Sequence, residues 1–494
     1  MKITFISPYP NISAFGIRSM SSYLKTKGIQ TQLLFMPDQS PVTVDKNGSV
    51  YPAHILHEMS ELCRDTDLVG ITLMTNYFYS AVELTRKLKK DIGIPIIWGG
   101  VHPTFRPEEC LQFADMVCIG EGEVPILSLI QCLGTNKEPN GIPGVWVRNT
   151  ESTRRTVQPA QLVQNLDEFP PPDYSMEDHH IIINDHLKPL TNDNIQQFLL
   201  PFHELKVVGY QTLTGRGCPH RCAYCFNDVA KNLYKNQRYV RWRSVPHIIN
   251  ELRSVKEQMP CIGFVWLADD AFFARSLNDI ADFCIQYKKH IGIPFSCLAS
   301  PLTISEEKMD LLTDVGMVNI QMGVESGSKR TQKLYKRANM SNDRMIQAMR
   351  IINKYRGKIY PPNYDFIVDN PYETDTDKRD TLKFIAAMPR PFKLQAFSLT
   401  FYPGTALYQK AKEDGLIIDE QKQIYRHKTW AMKKRDYANL LITLTQNGRF
   451  PSWMLFGLAS PSVYAMLNAR VFKPLIGLVF MALHAVRRTK RLFT

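Results

Sequence analysis

The sequence predicts an α/β protein: an N-terminal doubly wound, flavodoxin- or Rossmann-like domain, then a partial (β/α)6 barrel, then a helical C-terminal tail. Three observations carry this prediction. Short runs rich in Ile, Val, Leu and Phe alternate with longer amphipathic patterns through the first 150 residues, the alternation restarts at Gly209, and the last 45 residues turn apolar with a basic end. A length of 494 residues accommodates two or three domains of about 100–200 residues each. At 44% apolar and 22% charged, the composition excludes a disordered or collagen-like chain.

In the first domain, placed at 1–150, the runs 2–7, 31–36, 68–74, 95–98 and 115–119 have the unbroken apolar character of buried parallel strands. Helical patterns at 17–27, 53–64, 80–90 and 123–133 fall between or after them. Such a sheet binds ligands beyond the carboxyl ends of its strands, here the loops 8–16, 75–79, 99–104 and 120–123. The run Pro170–Pro172 marks a linker, and 175–205 is polar and irregular, so 151–207 is expected to connect the two folded units. Strand-like runs at 210–215, 263–268, 294–298, 318–322, 364–368 and 394–401, each followed by a helical pattern, place the barrel at 208–415. The remainder, 416–494, is read as helical.

The chemistry concentrates at Gly215–Asp228, GRGCPHRCAYCFND. Cys218, Cys222 and Cys225 stand in C-x3-C-x2-C spacing at the end of the first barrel strand. Three thiolates on one tight loop can hold three irons of a [4Fe–4S] cluster and leave the fourth open to a small molecule. Gly215 and Gly217 allow the backbone to turn closely around it. The alternatives are a zinc site completed by His220, or three unrelated buried thiols. No second CxxC unit of the kind zinc sites use is present. The other seven cysteines show no ligand spacing and read as small buried side chains. Ten cysteines in this length is not a disulfide framework, and the N-terminus lacks an apolar signal run, so a reducing cytoplasm is the expected setting.

This stretch resembles the radical SAM superfamily, whose members carry the same spacing with an aromatic before the third cysteine, here Tyr224. The resemblance implies that S-adenosylmethionine chelates the open iron, and that one-electron reduction releases a 5′-deoxyadenosyl radical that abstracts hydrogen from an unactivated carbon. It further implies SAM contacts from Asp269 and Asp270 in LADDAF and from Glu325 in GVESGS. Helix capping is the competing role for such residues. The segment FIVDNPYET departs from the family, with Asp369 and Tyr372 where relatives often have glycine, and ASP at 299–301 lacks an arginine often found there.

An α/β domain ahead of this barrel resembles the cobalamin-binding subgroup, which includes radical SAM methyltransferases and anaerobic Mg-protoporphyrin monomethyl ester cyclase-like proteins. GGVHPT at 99–104 and GEGE at 120–123 carry that likeness. It implies that Gly99 and Gly100 leave room for the nucleotide tail of cobalamin and that Thr72 hydrogen-bonds it. The element that supplies histidine to cobalt elsewhere is absent: the first loop reads SPYPNISAFG, and His102 is read as a loop residue. His179, His180 and His186 are expected at the surface or in a lid.

The net charge of +13 suits nucleic acid, an anionic membrane or acidic substrates. No aromatic-interleaved basic motif favours nucleic acid. Its one concentration, Arg487, Arg488, Lys490 and Arg491, adjoins the apolar run 452–486, a pattern suited to peripheral membrane contact by 452–494 or to a packed helical cap. No run is long and clean enough to span a membrane. The expectation is therefore an enzyme using a [4Fe–4S] cluster, SAM and cobalamin to methylate an unactivated carbon of a small-molecule or lipid, isoprenoid-like substrate. A one-electron donor such as flavodoxin or ferredoxin would supply it. Oxidative cyclisation without cobalamin is the rival reaction, and a non-catalytic cluster- or cobalamin-binding sensor is the rival class.

Overall fold

The computed structural model describes residues 1–38, 50–135, 137–148, 158–426 and 432–492, with side chains as far as 483. Five parallel strands build the first sheet: β1 (Lys2–Ser7), β2 (Gln30–Phe35), β3 (Leu68–Thr72), β4 (Ile96–Gly99) and β5 (Met116–Cys118). Their spatial order, β5-β4-β3-β1-β2, reverses between β3 and β1, so a crevice opens beyond the carboxyl ends of that pair. An antiparallel β6 (Val145–Val147) closes one edge.

The opposite edge departs from the sequence reading. Residues 179–189 are not irregular: β7 (His179–Ile183) pairs parallel with β2, and β8 (His186–Pro189) pairs back on β7. His179 is accordingly buried rather than surface or lid, with its Nε2 3.3 Å from Asp173 Oδ2. Asp173 also accepts from Ser21 Oγ at 2.5 Å. Arg18, wholly buried, stacks 3.7 Å from the Tyr174 ring centroid. These contacts fix the chain just after the three prolines, so the linker is docked on the first domain.

The second sheet runs in sequence order, β10 (Val207–Thr212), β13 (Ile262–Leu267), β14 (Phe295–Ala299), β15 (Met317–Glu325), β16 (Asn363–Val368) and β17 (Lys393–Ser398), all parallel. A short antiparallel β9 (Leu200–Phe202) edges β10. The intervening β11 (Gly215–Arg216) and β12 (Arg241–Trp242) form a separate ribbon at the cysteine loop. Residues 364, 366 and 368 are buried with the helices, whereas 363, 365 and 367 keep partial exposure on the other face. That alternation gives an open half barrel with a sealed outer layer and an accessible inner face.

Beyond the barrel, Tyr437–Thr445, Ser452–Leu458, Pro461–Leu467 and Lys473–Leu492 are helical. Ser452–Leu458 packs on the barrel helix Asp375–Ala387. Among the described residues no single helix is long and apolar enough to cross a membrane; the pair Pro461–Leu467 and Arg470–Leu483 is bent by 56°.

Candidate functional site

The three cysteines follow β10 on a loop whose Gly217 adopts φ +87°. All three are free thiols. Cys222 is buried, and Arg337 donates to its Sγ from 3.4 Å. Asn227 Nδ2 lies 3.8 Å from Cys225 Sγ. Burial pushes the Cys218 thiol up to about 11 and that of Cys225 up to about 12. Such thiols ionise when bound cations compensate them.

Among the described residues, no three His, Cys, Asp or Glu side chains converge as ligands of one ion. Tetrahedral zinc would bring sulfurs within about 3.8 Å of each other. A cluster binds each cysteine to a different iron and sets them further apart. His220, the fourth ligand of the zinc alternative, directs Nε2 to Ser300 Oγ at 2.9 Å instead. With His220 engaged, the loop offers three thiols and no fourth ligand, the donor set of a [4Fe–4S] cluster with one open iron.

Around this loop stand the residues expected to face SAM. Tyr224 packs edge-on against Tyr335 with centroids 5.1 Å apart, beside Glu325. Glu325 ends β15 at a register shift and holds φ +71°, a costly backbone conformation for a non-glycine residue, and its Oε1 folds back against Gly323. Burial pushes its carboxyl up, opposed by the Arg337 guanidinium. The two aspartates separate. Asp269 turns inward, accepting from Thr214 Oγ1 at 2.9 Å, and burial raises it to about 6 against the pull of Arg275. Asp270 faces outward and accepts from Asn227 at 3.1 Å.

Asp270 belongs to the wall of a cavity of about 450 Å³ between the two sheets. Thr72, Gly99 and Gly100 line its far side, at the crevice where the strand order reverses. Gly100, at φ +105°, passes so close to β3 that a Cβ would stand 2.8 Å from Leu73 O. At Gly99 a Cβ would meet only Cys118 Cβ, at 3.7 Å, and would stand toward the cavity. Phe169, Pro170 and Pro172 of the linker close one side and Phe226 beside the cysteine loop another. A flat apolar-faced macrocycle fits such walls, and no histidine is among the lining residues. His102 lies outside the cavity lining, its Nδ1 3.0 Å from Thr75 Oγ1 in a cage with Phe78 and Tyr425. Burial, helped by Arg106, lowers it to about 3.

GEGE does a different physical job. Glu121 pairs with both Arg216, at 2.7 Å, and Arg241, while Glu123 pairs with Arg216 and accepts from Ser19 at 2.8 Å. Burial raises the Glu123 carboxyl, but Arg216 outweighs it and holds the group below its ordinary range. Arg216 stands two residues before Cys218, so this ionic junction ties the first sheet directly to the cysteine loop. The sequence reading did not single out Arg216, Arg241, Asn227 or Arg337. Arg216 and Asn227 flank the cysteines and could have been found by proximity; Arg337 comes from 115 residues beyond Cys222 with no local signal. Asp369 holds φ +61°, the region glycine favours, and ties down the C-terminal segment by accepting from Lys433 N and Asn439 Nδ2, each at 2.7 Å. The departure from glycine thus keeps the turn and adds a tether.

Residues 1–130 match the B12 binding domain and residues 212–385 the radical SAM superfamily. The chain is 28% identical over 388 residues to an uncharacterized methyltransferase of Pyrococcus horikoshii, covering 76% of each. It is 23% identical over 404 residues to a bacteriochlorophyllide d C-8(2)-methyltransferase of Chlorobaculum tepidum, covering 78% of this chain and 77% of that one. In fold it resembles the radical S-adenosylmethionine methyltransferase TsrM of Kitasatospora setae, with a TM-score of 0.64 at 16% identity over 84% of this chain and 78% of that one.

Proposed function

Since this chain belongs to the radical SAM superfamily and carries its B12-binding domain, we propose that Cys218, Cys222 and Cys225 hold the cluster of a cobalamin-dependent methyltransferase acting on an unactivated carbon. The carrying observation is the cavity that joins Gly99 and Gly100 to the cysteine-loop flank at Phe226, Asn227 and Asp270. When bound, the cluster supplies the electron that cleaves SAM, and cobalamin carries the methyl group. The chain's own residues do the rest. Glu325 and Asp270 accept hydrogen bonds from SAM, Tyr224 shields the cluster side, and Thr72 with the two glycines seats the nucleotide tail. Phe169 and Pro170 exclude water from the space between the cofactors.

Cyclisation draws no support from the methyltransferase relatives. The test uses reduced protein and SAM labelled in its adenosyl group. Wild type is expected to form 5′-deoxyadenosine, Cys222→Ala none; 5′-deoxyadenosine from the variant, or none from wild type holding a cluster, contradicts the reading.

A lipid or isoprenoid-like substrate, met at a membrane surface, is favoured by the C-terminal helices. Ile476 and Phe480 are buried, while Trp453, Phe456, Val471, Leu475, Leu478 and Met481 are exposed beside Arg470 and Lys473. Flotation with phosphatidylglycerol vesicles should carry the protein. Equal recovery with neutral phosphatidylcholine, or no recovery with either, speaks against this.

A further inference from the structure

The inner face of the half barrel is polar where closed barrels are filled by branched apolar layers. Gln211 on β10, Asn319 and Gln321 on β15, Asn363 and Asp365 on β16 and Gln395 on β17 alternate with residues packed against the helices. Aromatic rings floor this face: Phe202 stacks on Phe264 with centroids 4.0 Å apart and meets Trp266 and Tyr360 edge-on. Asp365 lies on the same face. Its Oδ2 accepts from Gln321 Nε2 at 2.8 Å, and its buried Oδ1 has no partner. It is level with Gly323, and the register shift sets Glu325 beside the next residue, Phe366.

We propose that Asp365 anchors a substrate subsite for a hydrogen-bond-donating group, an amine or a hydroxyl, and that the subsite rejects carboxylates and phosphates. Buried acceptors without donors are costly, so the free Oδ1 is a vacancy for a donor. The neighbouring charge, Glu325, is also acidic. Among the described residues, Lys393 of β17 pairs with Glu204, and Arg337 donates to Gly323 O at 2.6 Å and to Cys222. Burial, and then Glu325, push the Asp365 carboxyl up to about 8, so both oxygens accept only above that pH or once a bound ammonium draws the value back down. The inference rests on the barrel being the radical site.

The test uses the cluster-loaded full chain carrying 5-fluorotryptophan, with the Trp266 resonance assigned by Trp266→Phe. Titrations at pH 9, where Asp365 is ionised and the amine still charged, with n-hexylamine, 1-hexanol and sodium hexanoate follow that resonance. Wild type should respond to the amine and the alcohol at least tenfold more tightly than to hexanoate. Asp365→Asn, which is isosteric, should weaken hexylamine at least tenfold while hexanol changes less than threefold. Hexanoate binding as well as hexylamine in wild type would overturn the proposal even if the variant does not fold. An unchanged hexylamine affinity in the variant, or an equal loss of SAM affinity, would overturn it too. Cluster content and SAM cleavage, measured on the same samples, report on the radical-site reading separately.

Discussion

Arg241 is the most exacting test of how the two domains are joined. Its side chain is 1% exposed and its charge faces Glu121, with Val163 O accepting from Nη1 at 2.7 Å. Glu121→Gln keeps the shape and removes the charge, leaving a buried guanidinium half-compensated. Breaking one partner of a buried pair costs about 3–5 kcal/mol. Glu121 is 26% exposed and Arg216 keeps Glu123, so solvent returns part of this; a loss of about 2–3 kcal/mol is expected. Arg241→Met removes the stranded charge as well, and the double variant should recover most of that loss. Urea unfolding of the four proteins, with hydrogen exchange at the Glu121 amide that donates to Tyr234 Oη from 3.2 Å, reads the coupling. A coupling energy below about 0.5 kcal/mol, with unchanged exchange, would refute an electrostatic junction.

Arg337→Gln should lower the cluster midpoint potential, because a guanidinium donating to Cys222 favours the more negative, reduced form; a differential of about 1 kcal/mol is roughly 40 mV in a redox titration, and no shift would show that the contact does not tune the cluster. His102 is neutral when folded and lowered to about 3 by burial, so the unfolded chain alone takes its proton below about pH 6.5. Stability should fall as pH drops from there toward 3, by about 1.4 kcal/mol per unit at most, and His102→Gln should flatten that limb in acid unfolding curves.

Much of this architecture is legible in the chain because buried parallel strands have no polar face to disguise them: 68–74 and 263–268 read as strands and are β3 and β13. The β7–β8 hairpin is not legible, since two histidines open it and its burial depends on Asp173 and β2, which only the folded chain supplies. The cysteine spacing is a local signal and survives translation into structure. Asp269 and Asp270 show the limit of such signals: adjacent in sequence, they point to opposite sides of one turn, and only packing against Thr214 and Asn227 decides which faces the cavity. Arg337 is a long-range contact with no pattern around it at all.

The two proposed cofactor sites are physically separate yet joined by one cavity. Metal analysis of anaerobically purified protein, beside Cys222→Ala and Gly100→Ala, tests this most directly. Wild type should hold about four irons and one cobalt per chain. Cys222→Ala should lose iron and keep cobalt. Gly100→Ala, whose Cβ would press on Leu73 O, should lose cobalt and keep iron. Stoichiometric zinc in place of iron, or cobalt retained in full by Gly100→Ala, would contradict it.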